Sequence, residues 1–190
     1  KIVDPSDLTK AGRIKIPKSP TGLSLPAGED AALERWAEYV DNGLADYDSG
    51  RNDPAGDSTS RMSAYLKYGN IHPRTMAADL GKGKGPQAYL RELAFRDFYA
   101  DVLLANPGSA WRDLNPLDMP YDEPEDAIEA WKRGETGYPF VDAGMRQLSE
   151  TGFMHNRVRM VVGSWLTKNL GIHWRHGEEW FWDTLVDADV

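Results

Sequence analysis

The sequence contains no cysteine. That excludes disulfides, a thiolate nucleophile and thiolate-held metals, and it fits a cytoplasmic protein. No apolar run approaches the roughly 18–20 residues needed to cross a bilayer. The start, Lys1-Ile2-Val3-Asp4-Pro5, lacks the apolar stretch of a signal peptide. Positive charge is short as well. The formal net charge is −8, which for the chain as a whole argues against a nucleic-acid partner. The four histidines, His72, His155, His173 and His176, show no zinc-type spacing with acids, so no metal is expected.

What is present points to a folded domain. With 190 residues, 41% hydrophobic and 27% charged, the chain can bury one sizeable core under a polar surface. Its charge is unevenly spread. Residues 132–176 hold seven Lys/Arg and three Asp/Glu, whereas residues 116–131 hold six acids and no base. A local basic face is what meets phosphates, whatever the total. Seven tryptophans is a high number. Each packs a core most simply, and aromatic rings can also stack on bases or flavins.

Residues 1–28 read as a linker, broken by Pro5, Pro17, Pro20 and Pro26. From residue 29 the pattern is helical, with Leu33, Trp36, Ala37, Val40 and Leu44 at spacings of three and four. Asp57 or Ser58 is expected to cap a helix running to about Gly69. Pro73 starts another, and 81–86 reads as a plain glycine-rich turn. A strong helix is expected over 87–106, with Tyr89, Leu90, Leu93, Phe98, Leu103 and Leu104 inward. Further helices are expected over 125–132, 141–150, 154–170 and 177–186. No convincing strand appears, so the expected class is all-α with long functional loops.

Four constellations carry chemistry. In Asp57-Ser58-Thr59-Ser60-Arg61-Met62-Ser63, hydroxyls meet at a helix start, where free N–H groups suit phosphate oxygens. The same residues also read as an ordinary N-cap. In Met154-His155-Asn156-Arg157-Val158-Arg159-Met160, Asn156 and Met160 share a helical face bordered by Arg159, with Arg157 on another side. A solvated basic helix reads equally well. Asp187 and Asp189 flank Ala188 and can pair with Arg159, or stand solvated. Glu92, Phe95, Arg96 and Tyr99 lie at helical spacing, with Glu92 and Arg96 placed for an ion pair.

Together, and in this order, these segments resemble the photolyase/cryptochrome family. The resemblance rests on Thr59 to Ser63, Leu90 to Tyr99, Gly137 to Arg146, Met154 to Met160, and Asp187-Ala188-Asp189. It covers residues 28–190. It implies the family's helical FAD-binding domain, ending before that domain's own end and lacking an N-terminal α/β antenna domain. It assigns Thr59, Ser60, Arg61, Met62 and Ser63 to the FAD pyrophosphate, and Tyr47, Arg159, Asp187, Ala188 and Asp189 to the rest of the cofactor. Arg51, Arg157, Asn156 and Glu92 become DNA-side residues. Glu92 hydrogen-bonds the damaged pyrimidines, which as a donor needs a protonated carboxyl. Met160 packs on the lesion.

Asn156 with Met160 resembles the class I enzymes that repair cyclobutane pyrimidine dimers. The implied activity is light-driven repair of dimer-bearing DNA by an electron from photoexcited reduced FAD. The antenna chromophore would belong to the absent domain, and the default state is a monomer. Two residues depart from the family pattern. Phe95 stands where a lesion-stacking Trp is usual. In the electron relay, Trp174 matches the middle position and Tyr121 the outer one, while Trp111, Trp131 or Trp180 offer substitutes. Two other readings stay open: a cryptochrome-like blue-light receptor, and a structural helical domain without flavin. As a shortened piece, the chain is expected to bind FAD weakly or not at all.

Overall fold

A computed structural model of the chain describes residues 25–117 and 119–189. The linker expected over 1–28 therefore lies outside the described residues up to position 24. Residues 25–28 run without helix into the N-cap Gly28.

Among the described residues there are nine α-helices and no strand, as expected of an all-α domain. They are α1 (Glu29–Asn42), α2 (Tyr47–Gly50), α3 (Ser63–Lys67), α4 (Pro73–Asp79), α5 (Lys84–Ala105), α6 (Glu125–Arg133), α7 (Pro139–Thr151), α8 (Asn156–Ser164) and α9 (Trp174–Thr184). Tight turns at Leu44–Asp46 and Pro107–Ala110 are 3₁₀, and a π-helical turn, Trp165–Asn169, extends α8. No described helix is long and apolar enough to cross a membrane.

The helices pack as two lobes, each with its own core. The first gathers Ala32, Trp36 and Tyr39 of α1 with Leu44, Met62, Tyr65, Met76, Tyr89 and Leu93. The inward stripe of α1 is thus Ala32, Trp36 and Tyr39, and Leu33 is 41% exposed. The two large rings bury more area than a leucine, and their polar tips find partners. Trp36 Nε1 donates to Asp79 at 2.8 Å, and the Tyr39 hydroxyl donates to the Ser58 carbonyl at 3.0 Å.

Helix α5 begins earlier than expected, at Lys84, inside the glycine-rich turn. Gly85 is buried there, and a Cβ on it would collide with the Leu44 and Ala45 carbonyls. That close approach lets α5 lie against the 3₁₀ turn. Of the expected inward residues, only Tyr89 and Leu93 are buried, whereas Leu90, Phe98 and Leu104 are exposed. The apolar residues of α5 are spread around its circumference, so only its first half presents a face to a core.

The second lobe centres on Trp131, Met145, Leu148, Met154, Val162, Leu166 and Ile172. Helix α6 carries Glu125 and Asp126 in its first turn and Lys132 and Arg133 in its last, matching the helix dipole. Helix α7 starts on Pro139 and stops at Gly152, whose left-handed conformation (φ 67°) ends it. The chain then folds straight back into α8. Thus α7, α8 and the π turn form one packed unit, capped by α9.

Candidate functional site

The lobes meet along a seam that holds two adjoining cavities of about 740 and 290 Å³. Both are walled by Ser63, Leu66, Arg96, Arg159 and Asp187. Sites of this size between packed units suit a cofactor-sized ligand.

Arg159 and Asp187 form the most enclosed ion pair of the described residues. Nη2 of Arg159 lies 2.9 Å from both Asp187 carboxylate oxygens, and the Asp187 side chain is 3% exposed. The Arg159 Nε donates to the Met154 carbonyl at 2.8 Å. Both groups of this buried pair therefore keep partners, which low-dielectric surroundings demand. Asp189 stands 3.8 Å from Arg96, and Ala188 is buried between the two acids. Arg96 is thus matched to Asp189, not to Glu92 as the helical spacing suggested. Glu92 instead meets Arg51, across the lobe, at 2.6 Å.

Thr59, Ser60, Arg61, Met62 and Ser63 line the smaller cavity together. They do so as a loop. The helix expected from residue 57 or 58 begins only at Ser63. Ser60 Oγ accepts from the Met62 N–H at 3.3 Å and shares a 2.8 Å hydrogen bond with the Tyr89 hydroxyl. Such local side-chain bonds compete with helical ones. Arg61 has φ 57°, a left-handed conformation that no α-helix accommodates. Its side chain spans the seam, pairing with Asp57 at 2.9 Å and lying 4.7 Å from the Phe153 ring. Tyr47 lines the same wall, edge-on to Tyr89. Burial raises the Tyr47 hydroxyl pKa, with Arg51 drawing it back, so the phenol stays neutral.

His155 caps α8. Its Nδ1 accepts the Arg157 N–H at 3.1 Å, which leaves the ring proton on Nε2. Nε2 is buried on the smaller cavity's wall and, among the described residues, has no partner of good hydrogen-bond geometry. Burial, then Arg157 and Arg159, hold this imidazole below the usual histidine range, while Asp53 and the Arg51 carbonyl act weakly the other way. A neutral donor is therefore held in the wall.

Asn156 lines the smaller cavity. Arg157 and Met160 stand outside it and touch each other, Nη1 to Sδ, at 3.4 Å. Arg157 is thus not on a separate side from Met160, because positions three apart on a helix are neighbours. Phe95 is half-exposed, lines neither cavity and stacks on Tyr99. Trp174 lines the larger cavity and is bonded through Nε1 to Asp113. His173 lies between Trp174 and Tyr121, its centroid 5.6 Å from the first and 4.6 Å from the second. Of the proposed substitutes, Trp131 also lines that cavity. Trp111 is exposed beneath Arg175, and Trp180 faces Lys132. No described group of three His, Asp or Glu residues is arranged to hold a metal.

Two residues of this site carried little sequence signal. Tyr89 read only as core and Arg96 only as an ion-pair partner of Glu92, whereas they meet Ser60 and Asp189. Their partners lie far away in sequence, and periodicity does not report such contacts.

This donor set fits a flavin dinucleotide. It offers hydroxyls and a buried imidazole N–H for phosphate and sugar oxygens, an Arg–carboxylate pair, and an apolar wall of Leu66, Trp131, Phe181 and Leu185. The comparisons with known proteins agree. The family described as the FAD binding domain of DNA photolyase matches residues 89–190. A deoxyribodipyrimidine photo-lyase of Streptomyces griseus is 43% identical over 86% of this chain and 36% of its own length. A class III photolyase from Agrobacterium tumefaciens superimposes with a TM-score of 0.83 at 40% identity, over 85% of this chain and 35% of that one. A Synechocystis cryptochrome superimposes with 0.85 at 36% identity, over 89% and 38%. The chain spans little more than a third of the length of these proteins.

Proposed function

The chain belongs to the photolyase/cryptochrome family through its FAD-binding domain, and from that premise we propose that it serves light-driven repair of cyclobutane pyrimidine dimers in DNA, as part of a longer class I photolyase. One observation carries the reading. The cofactor-side residues, Thr59 to Ser63, Arg159 and Asp187, share one cavity with the lesion-side residues Glu92 and Asn156. A donor and an acceptor of one electron would meet there.

Reduced FAD, when bound, supplies the light-driven electron that splits the dimer and receives it back. The chain's own residues do the positioning. The Thr59–Ser63 loop and the His155 N–H hold the diphosphate and sugar. The Arg159–Asp187 pair fixes the far wall, and Asp189 and Tyr47 complete the enclosure. A dimer inside a duplex must first be flipped out, at a cost of a few kcal/mol that is least for damaged bases. Arg51 and Arg157 would hold the DNA backbone, giving salt-dependent affinity. Glu92 would meet the flipped bases, and leaving Arg51 for the lesion is the rearrangement this requires. Met160 and Phe95 would pack against it. Tyr121, His173 and Trp174 offer a ring-to-ring route between cavity and surface.

The test is blue-light repair of a thymine-dimer oligonucleotide by the complete parent protein with chemically reduced FAD, against a dark control. Loss of dimers only in the light supports the proposal. No loss with FAD bound and reduced favours the second reading, a cryptochrome-like photoreceptor. The Synechocystis cryptochrome's likeness and Phe95 at the lesion-stacking position speak for that alternative.

A further inference from the structure

The arginines that line or border the seam are Arg51, Arg61, Arg96, Arg157 and Arg159. Four are matched to a carboxylate: Arg51 to Glu92, Arg61 to Asp57, Arg96 to Asp189 and Arg159 to Asp187. Arg157 is held differently. Its Nε and Nη2 lie 2.9 and 2.6 Å from Oδ1 of Asn52, and its Nη1 rests on the Met160 sulfur. Both guanidinium nitrogens are donors, so the amide must present its oxygen to them. Both partners are neutral. The nearby Asp53 carboxylate is turned to the Ala55 N–H at 3.0 Å.

Arg157 also sits in the first turn of α8, which contains no acid. Free N–H groups already make that end of a helix positive, so a guanidinium is disfavoured there. Among the described residues, no carboxylate pairs with this cation. A neutral acceptor fixes the direction of the guanidinium without cancelling its charge. A carboxylate would do both.

We propose that Asn52 is a positioning residue: its amide oxygen holds the Arg157 guanidinium over Met160 and leaves its charge intact for a phosphate of the DNA backbone. This rests on the repair reading above. Pre-orientation lowers the ordering cost of binding, and an intact charge keeps the counterion release that a phosphate contact provides. Asn52 is an exposed loop residue. Its substitution is therefore not expected to disturb either core.

The experiment compares wild type, Asn52→Asp, Asn52→Ala, Arg157→Gln and the double variant Asn52→Asp/Arg157→Gln in the FAD-loaded parent protein. Binding to a dimer-bearing duplex is followed by fluorescence anisotropy across roughly 50–200 mM salt. Flavin absorbance and circular dichroism check folding, with Asn52→Ser as the reserve for Asn52→Ala. Asn52→Asp is expected to weaken binding about tenfold and to shrink the salt slope by about 0.9, one phosphate contact. Asn52→Ala should weaken binding only about threefold with the slope unchanged, since the charge remains. In the Arg157→Gln background, Asn52→Asp should leave the slope where it is. An unchanged slope in Asn52→Asp overturns the proposal, and so does an equal loss in both backgrounds. A wild type that binds damaged and undamaged duplex alike overturns the repair reading instead.

Discussion

The Glu92 carboxylate stands 2.6 Å from the Arg51 guanidinium, with side chains 34% and 19% exposed. The pair ties the long helix α5 to the loop after α2, at the mouth of the smaller cavity. A partly exposed pair of this kind contributes at most about 1 kcal/mol to stability. Glu92→Gln keeps the shape and removes the charge. The parent protein should then melt within a few degrees of wild type. Its light-driven repair should fall about tenfold or more, the value of one charge-assisted hydrogen bond. Repair yield per absorbed photon, measured beside the melting temperature, separates the two effects.

Asp187 offers the contrast. Its side chain is almost fully buried against Arg159. Removing one partner of a buried pair strands the other and costs about 3–5 kcal/mol. In the parent protein, Asp187→Ala should lower the melting temperature by roughly 10 °C and abolish FAD retention on a desalting column. Asp187→Asn, which keeps an acceptor for Arg159, should lie between.

The protonation of His155 opposes folding. In the unfolded chain a histidine takes up its proton near pH 6.5. In the fold, burial and the two arginines lower that value. Below about pH 6.5 the unfolded chain therefore binds more protons, and stability present above that pH is lost as acid is added. His155→Asn keeps an N-cap acceptor and removes the titration. Its urea midpoint should fall less than that of wild type between about pH 7.5 and 5.5.

Gly85→Ala tests the contact that sets α5 on the 3₁₀ turn. A methyl group there meets carbonyl oxygens of Leu44 and Ala45, which cannot swing aside as a side chain would. Overpacking of this kind costs about 1–3 kcal/mol or more. The change should also displace Tyr89 and weaken its bond to Ser60, which near-ultraviolet circular dichroism of the tyrosines would show.

Much of this arrangement was legible in the sequence. The helical class followed from spacings of three and four. The order of α4 to α9 followed from Pro73 and the apolar stripes after it. The residues that the resemblance assigns to the cofactor, Thr59 to Ser63 and Asp187, do line one cavity. What failed was local. A helix was expected from residue 57 because hydroxyls favour caps. Those hydroxyls were engaged instead: Ser60 by Tyr89, and Ser58 by the Gly50 carbonyl at 2.7 Å. Glu92 was paired with Arg96 because they are neighbours on a helix, yet each meets a different partner across the fold. Asn52 was passed over because its partner is 105 residues away.

The division into two cores has a consequence for how the protein comes apart. The helix pairs with the most extensive packing lie within one lobe, and the seam is bridged by side chains such as Arg157 on Asn52 and Arg61 on Phe153. Each lobe can then open as its own cooperative unit. A ligand filling the seam would bind only when both are closed, and so would fuse two unfolding steps into one. Hydrogen exchange would display this as two protection plateaus that merge when FAD is added. The cofactor would then be a structural keystone as well as a chemical one.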